Sequence, residues 1–114
     1  MIFETHKSNN RDWIANDSHN EKPSFAKFEV TQNDNVTIRV TTPVKIRQTL
    51  VLVRETGYKQ YTFIESNFSP HSHSSEISLP VYPGKYIIAS YHHWNNSLSG
   101  RYHLFLASNE HISL

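Results

Sequence analysis

Cysteine is missing from this 114-residue chain, which excludes disulfides, thiolate metal ligands and cysteine nucleophiles by inventory. Charge of one sign is missing too: 11 Lys and Arg stand against 10 Asp and Glu, a formal net charge of +1. So weak a field steers the chain toward neither nucleic acid nor an anionic membrane. Glycine and proline are scarce, at three and five residues, which argues against a disordered or low-complexity chain. No segment approaches the ~18 consecutive apolar residues of a membrane helix, and "MIFETHKSNNRDW" has no apolar stretch of the secretory-signal kind. The expectation is a cytoplasmic protein with no integral membrane segment.

What is present is β-patterned. Hydrophobic residues make up 37% and aromatic residues 12% of the chain, enough for one core, and the length fits one domain. In "VTIRVT", Val36, Ile38 and Val40 alternate with Thr37, Arg39 and Thr41, the period of a half-buried strand. Leu50 to Glu55 and Gln60 to Ser66 flank "TGYK" and read as a hairpin with Gly57 supplying the turn. Asn67 to Ser75, "NFSPHSHSS", reads as a loop, followed by a short strand with Ile77 and Leu79 on one face. Pro83-Gly84 fits the central positions of a type II turn.

The stretch from Val81 to Ser108 then reads as two strands, Lys85 to Tyr91 and Arg101 to Ser108, joined as a hairpin by the polar loop "HHWNNSLSG". Apolar residues on both faces of these strands predict that they lie inside the structure. Tyr86, Ile88, Leu104 and Leu106 are expected in the core, with Pro83, Gly84 and Gly100 serving the turns. Residues 1–24 are expected to form an ordered arm pinned by Trp13, and residues 25–114 an antiparallel β-sandwich of about eight strands with Greek-key connections.

Three pieces of the chain carry a family resemblance. They are "RDWIANDSHNEKPSFAKFEV", "LPVYPGKYIIASY" and "SGRYHLFLAS", in that order and together spanning nearly the whole length. This arrangement resembles the calpain-type β-sandwich, the C2-like domain that follows the protease core of calpains. The resemblance implies a C2-like fold and, with no protease core in the chain, no peptidase activity. Two departures stand out: "NDSHN" replaces the glycine pair usual after the early Trp, and the acidic loop of conventional calpains has no counterpart. A free-standing domain of this kind implies a subunit of a larger complex, with a cytoskeletal or axonemal assembly as the setting the resemblance points to.

Candidate chemistry is sparse. His71 and His73 are two apart with Glu76 nearby, a spacing that can place imidazoles on one side of an extended chain for zinc or copper. Ser-rich loops containing several of the eight His residues produce the same pattern without a metal. Asp12, Asp17 and Asp34 are too scattered for a calcium site of C2 type. Ser-His pairs occur in no nucleophile motif, so no enzyme and no cofactor are expected. Aromatics interleaved with Lys and Arg in "RETGYKQY" are read as cross-strand pairs rather than a nucleic-acid surface. The sequons at Asn16, Asn35, Asn67 and Asn95 matter only after secretion.

Trp94, with His92, His93 and Arg101 around it, is the leading candidate contact with other proteins, the alternative being that Trp94 folds back over the core edge. The expected function is a non-catalytic interaction or assembly module with protein partners. The alternative is a C2-like regulatory module that binds lipid headgroups or a metal through its loops.

Overall fold

The computed structural model describes residues 2–8, 24–93, 101–109 and 111–113. These form seven strands: β1 (Ile2–Ser8), β2 (Ser24–Val30), β3 (Asp34–Gly57), β4 (Gln60–Val81), β5 (Gly84–His93), β6 (Arg101–Ala107) and β7 (Ile112–Ser113). All pairings are antiparallel. Among the described residues no helix is long and apolar enough to cross a membrane.

The two longest strands, β3 and β4, pair along almost their whole length and form a ribbon. The first part of β3 pairs with β6 from Thr37 to Thr41, and its later part pairs with β5 from Arg47 to Arg54. One layer of the sandwich is thus β1, β6 and the Asp34–Thr41 half of the ribbon. The other is the ribbon's far half with β5, β2 and the short β7. Even-numbered residues point inward in both halves of β3: Val36, Ile38 and Val40 in the first layer, Leu50 and Leu52 in the second. They close a core with Phe28, Ile77, Tyr86, Ile88, Tyr102, Leu104 and Leu106.

Where the ribbon passes between layers the regular ladder breaks, with register shifts between Thr41 and Ile46 and between Ile46 and Gln48. Buried polar side chains take over there. Gln48, 2% exposed, donates from Nε2 to the Ser72 carbonyl at 2.9 Å, and Thr42 Oγ1 donates to the Val44 carbonyl at 2.8 Å. These bonds satisfy partly buried backbone carbonyls that the broken ladder leaves over.

Several expectations need correction. The stretch Asn67–Ser75 is part of β4 rather than a loop. Its Ser residues take up bonds that an interrupted ladder lacks, as when Ser75 Oγ donates to the Asn67 carbonyl at 3.0 Å. Within residues 1–24, Ile2–Ser8 is a strand paired with β6, not an arm. The reversal after Gly57 has its positive φ at Lys59 (55°). Lys85–Tyr91 and Arg101–Ser108 do not pair as a hairpin: β5 pairs with β3 and β2, and β6 with β1 and β3, in opposite layers. Sequence neighbours pair only part of the time, and here both strands find partners elsewhere.

Pro83-Gly84 likewise joins layers rather than closing a type II turn. Gly84 sits at φ 152°, far beyond the roughly +80° of that turn. A Cβ there would lie 2.6 Å from Arg54 Nε, because the Arg54 guanidinium covers the crossover and donates to the Pro83 carbonyl. Tyr86 secures the same corner from inside: its hydroxyl donates to the Tyr82 carbonyl at 2.9 Å and accepts from the Tyr82 amide. Beside the same corner Asp34, which pairs with Val81, is buried. Burial by itself raises its pKa, but bonds from the amides of Asn109, His111 and Asn35 bring it below the usual carboxylate value. The carboxylate thereby fastens the chain leading into β7.

Gly84→Ala combines a side chain at positive φ with a clash against Arg54, so it should lower stability by about 2 kcal/mol in denaturant unfolding. Gln48→Leu leaves the partly buried Ser72 carbonyl without its donor and should cost about 1–3 kcal/mol in the same measurement. A wild-type midpoint in Gln48→Leu would show that the bend does not need this bond.

Candidate binding face

The two outer faces of the sandwich differ in chemistry. On the first layer the outward residues of β3 and β4 are polar and occupied with one another. Arg39 pairs with Glu76 at 2.9 Å and lies over the Phe105 ring at 4.9 Å, while the Thr37 and Ser78 hydroxyls are 3.0 Å apart. On the second layer the outward residues are mostly apolar. Register sets Phe63, Val53, Ile87 and Lys27 in one row across four strands. Ser66, Val51, Ala89 and Phe25 make the next row, and Phe68, Thr49 and Tyr91 a third. Residues directly opposite on antiparallel strands share a face, so these rows form one surface.

That surface is concave. A groove of about 440 Å³ is lined by Phe25, Lys27, Val51, Val53, Tyr61, Ile87, Ala89 and Tyr91. A second hollow of about 380 Å³ shares Lys27, Tyr61 and Ile87 and adds Glu29, Glu55 and Lys85. Phe63 is 62% and Tyr61 51% exposed. The result is an aliphatic floor, aromatic walls and, at one end, side chains of both charges.

The residues singled out from sequence lie elsewhere or outside the described part. Trp13, Trp94 and Gly100 fall outside the described residues, as does the side chain of Arg101. His92 is no surface contact: it is 0% exposed, with its ring 4.4 Å from that of Tyr102 across the layers. As an even-numbered residue of β5 it points inward with Tyr86 and Ile88. His93 is half-buried, its Nδ1 3.4 Å from Arg47 Nη2. His73 Nδ1 lies 3.1 Å from the Thr42 carbonyl, and Glu76 is taken by Arg39. No group of three or more His, Asp or Glu side chains arranged to hold a metal occurs among the described residues.

Apolar residues on both faces of β5 led to the expectation that this strand is interior. The structure shows that Tyr86 and Ile88 serve the core while Ile87, Ala89 and Tyr91 form the outer face. The same second stripe is visible in "TLVLVRE", where Val51 and Val53 alternate with Leu50 and Leu52. Val51 and Val53 are the sequence signal for this face.

One pair has the form of a catalytic dyad. Ser90 Oγ is 2.5 Å from His92 Nε2, within the reach a nucleophile and its base require. Both residues are buried in the core, at 3% and 0% exposure, so no substrate reaches them. Burial instead lowers the His92 pKa from 6.5 to about 4 and keeps the imidazole neutral. The unfolded chain therefore binds a proton that the folded one refuses between these values, and stability rises with pH through this window. Acidifying from pH 7 to pH 5 should cost about 1–2 kcal/mol in denaturant unfolding, and His92→Gln should flatten that slope. An equally steep slope in the variant would assign it to other groups.

No protein-family model matches the chain, and no curated protein matches it by sequence. Solved structures do resemble it. A pre-peptidase C-terminal domain of a collagenase from Bacillus anthracis superposes with a TM-score of 0.66 at 20% identity, covering 94% of this chain and 90% of that one. A mitogen from Yersinia pseudotuberculosis superposes with a TM-score of 0.59 at 12% identity, covering 99% and 94%. A family 35 carbohydrate-binding module from an environmental isolate follows more loosely, with a TM-score of 0.46 at 11% identity over 82% and 69%. None of these is a calpain domain. At such identities the likeness is one of fold: the chain is an all-β antiparallel sandwich.

Proposed function

We propose that the chain is a non-catalytic protein-binding module and that the outer face of its second layer is where another protein docks. The observation that carries this reading is the apolar surface of Val51, Val53, Ile87, Tyr61 and Phe63, where the same ribbon of β3 and β4 presents polar, mutually paired residues on the first layer. Contiguous exposed apolar surface of this kind marks interaction sites. An aliphatic floor offers little to a sugar or a charged headgroup, which need donors and acceptors aimed at them, and suits the apolar side chains of a protein.

The similar solved domain from Bacillus anthracis is one domain of a collagenase, and a sandwich of the same shape carried within a larger protein supports the reading of a module. Placement in a larger assembly, cytoplasmic and cytoskeleton-associated, belongs to the same proposal and rests on the residues quoted for the calpain-type resemblance.

The test is recovery of a defined partner on the immobilised chain, repeated with Phe63→Ser and with Trp94→Ala. Docking on this face requires that Phe63→Ser weaken capture at least about tenfold while Trp94→Ala leaves it unchanged. The opposite ranking would move the contact to the loop after His93. Liposome co-sedimentation run beside it, with and without calcium, reads out the C2-like alternative. Clear binding to vesicles with no protein captured would replace the proposal.

A further inference from the structure

The partner's chemistry is written in the rim of the face and in the edge beside it. At the charged end Lys27 and Lys85 stand among Glu29 and Glu55, two charges of each sign, with Lys85 directly opposite Glu29 in the β2–β5 register. A partner of one sign would meet like charge at half of these positions. A copy of the same surface turned through a half rotation can set cations against anions. Two-fold contacts require this self-complementarity, since the same patch serves both sides. The chain as a whole, at net charge +1, raises no barrier to meeting itself.

The edge of the layer adds a second observation. From Gln60 to Ser69, β4 pairs on one side with β3 and with no other strand among the described residues. Natural edge strands are guarded by lysine, proline or inward charge. This stretch, "QYTFIESNFS", has no Lys and no Pro and a single charge, Glu65. Its guarding features are two register shifts, opposite Leu52 and Val53 and opposite Glu55 and Gly57. It also carries Tyr61 and Phe63, so this lightly guarded edge and the apolar face are one continuous surface. A partner that covers the face and shields the edge accounts for both.

We infer that this partner is a second copy of the chain, docked face to face through the second layer about a two-fold axis with β4 at its margin. Two sheets so placed lie about 10 Å apart with their side chains interleaved. Val53 and Ile87 are at the centre of the contact, Phe63 beside the edge and the four charges at the rim. The inference rests on the reading of this face as a protein-docking surface and names the protein.

Sedimentation velocity of the intact chain between roughly 1 µM and 1 mM tests it. The expected result is a concentration-dependent monomer–dimer equilibrium, weakened at least about tenfold by Phe63→Ser and by Val53→Asp. Thermal melting of each variant at low concentration, where the chain is monomeric, reports folding. Phe63 is largely exposed, so Phe63→Ser keeps the test decisive should Val53→Asp fail to fold. A monomer throughout the range overturns the inference, as does a dimer indifferent to Phe63→Ser. A monomer whose capture of another protein is lost in Phe63→Ser would overturn the inference and leave the docking face standing. A monomer with no Phe63-dependent capture would overturn both.

Discussion

Everything in this sandwich depends on one ribbon changing layers. The first half of β3 is paired with β6 and its second half with β5, so a single strand supplies inward residues to both sheets. A strand cannot cross between layers with its ladder intact, and the bend leaves partly buried carbonyls that need donors. Thr42 and Gln48 supply them from inside the core. Polar residues at otherwise apolar positions are therefore required here; the alternation of β3 lapses at the exposed Val44 and resumes with Ile46 and Gln48 inward.

The remaining joins follow from that crossing. Once β3 and β4 occupy both layers, the chain leaving Val81 in the first layer must reach β5 in the second, and Tyr82-Pro83-Gly84 carries it across. The corner is held from outside by Arg54 and from inside by the Tyr86 hydroxyl. The stack of His92 on Tyr102 ties β5 to β6 across the layers. Next to the Tyr82–Gly84 corner, Asp34 gathers the amides of Asn109 and His111. Each of these is a polar contact placed where the chain passes from one sheet to the other, and the apolar core lies between them.

The sequence made strands legible and partners illegible, for a physical reason. Alternation reports that a segment is extended and that one face differs from the other, which is why Val36–Val40 and Leu50–Leu52 were readable as strand positions. It does not report which strand lies alongside. "VTIRVT" and "TLVLVRE" look like separate strands because "TPVK" lies between them, and only the pairing with β4 shows them to be one. β5 and β6 look like a hairpin because they follow each other, and each is paired elsewhere. Ser and Asn between residues 67 and 75 look like loop composition, since their side chains compete with regular backbone bonding. In the folded chain that same capacity repairs the ladder at the bend. His92 was read as a surface residue by its place next to a polar loop, whereas its parity with Tyr86 and Ile88 assigned it inward.

The candidate face was half legible by the same logic. A strand with two apolar faces is ambiguous: it can be covered on both sides within its own chain, or on one side by its own core and on the other by something else. In a two-layer sandwich each sheet has only one inner face, so the second apolar stripe of β5 and of the far half of β3 must turn outward. Along β3 the outward positions change from Thr37, Arg39 and Thr41 to Val51 and Val53 across the bend, while the inward positions on either side of it, Val36, Ile38 and Val40 before and Leu50 and Leu52 after, are apolar alike. The core constrains the inward residues of both halves alike. It places no such demand on the outward ones, and a change of chemistry there, between two halves of one strand, is the mark of a surface shaped by what lies against it.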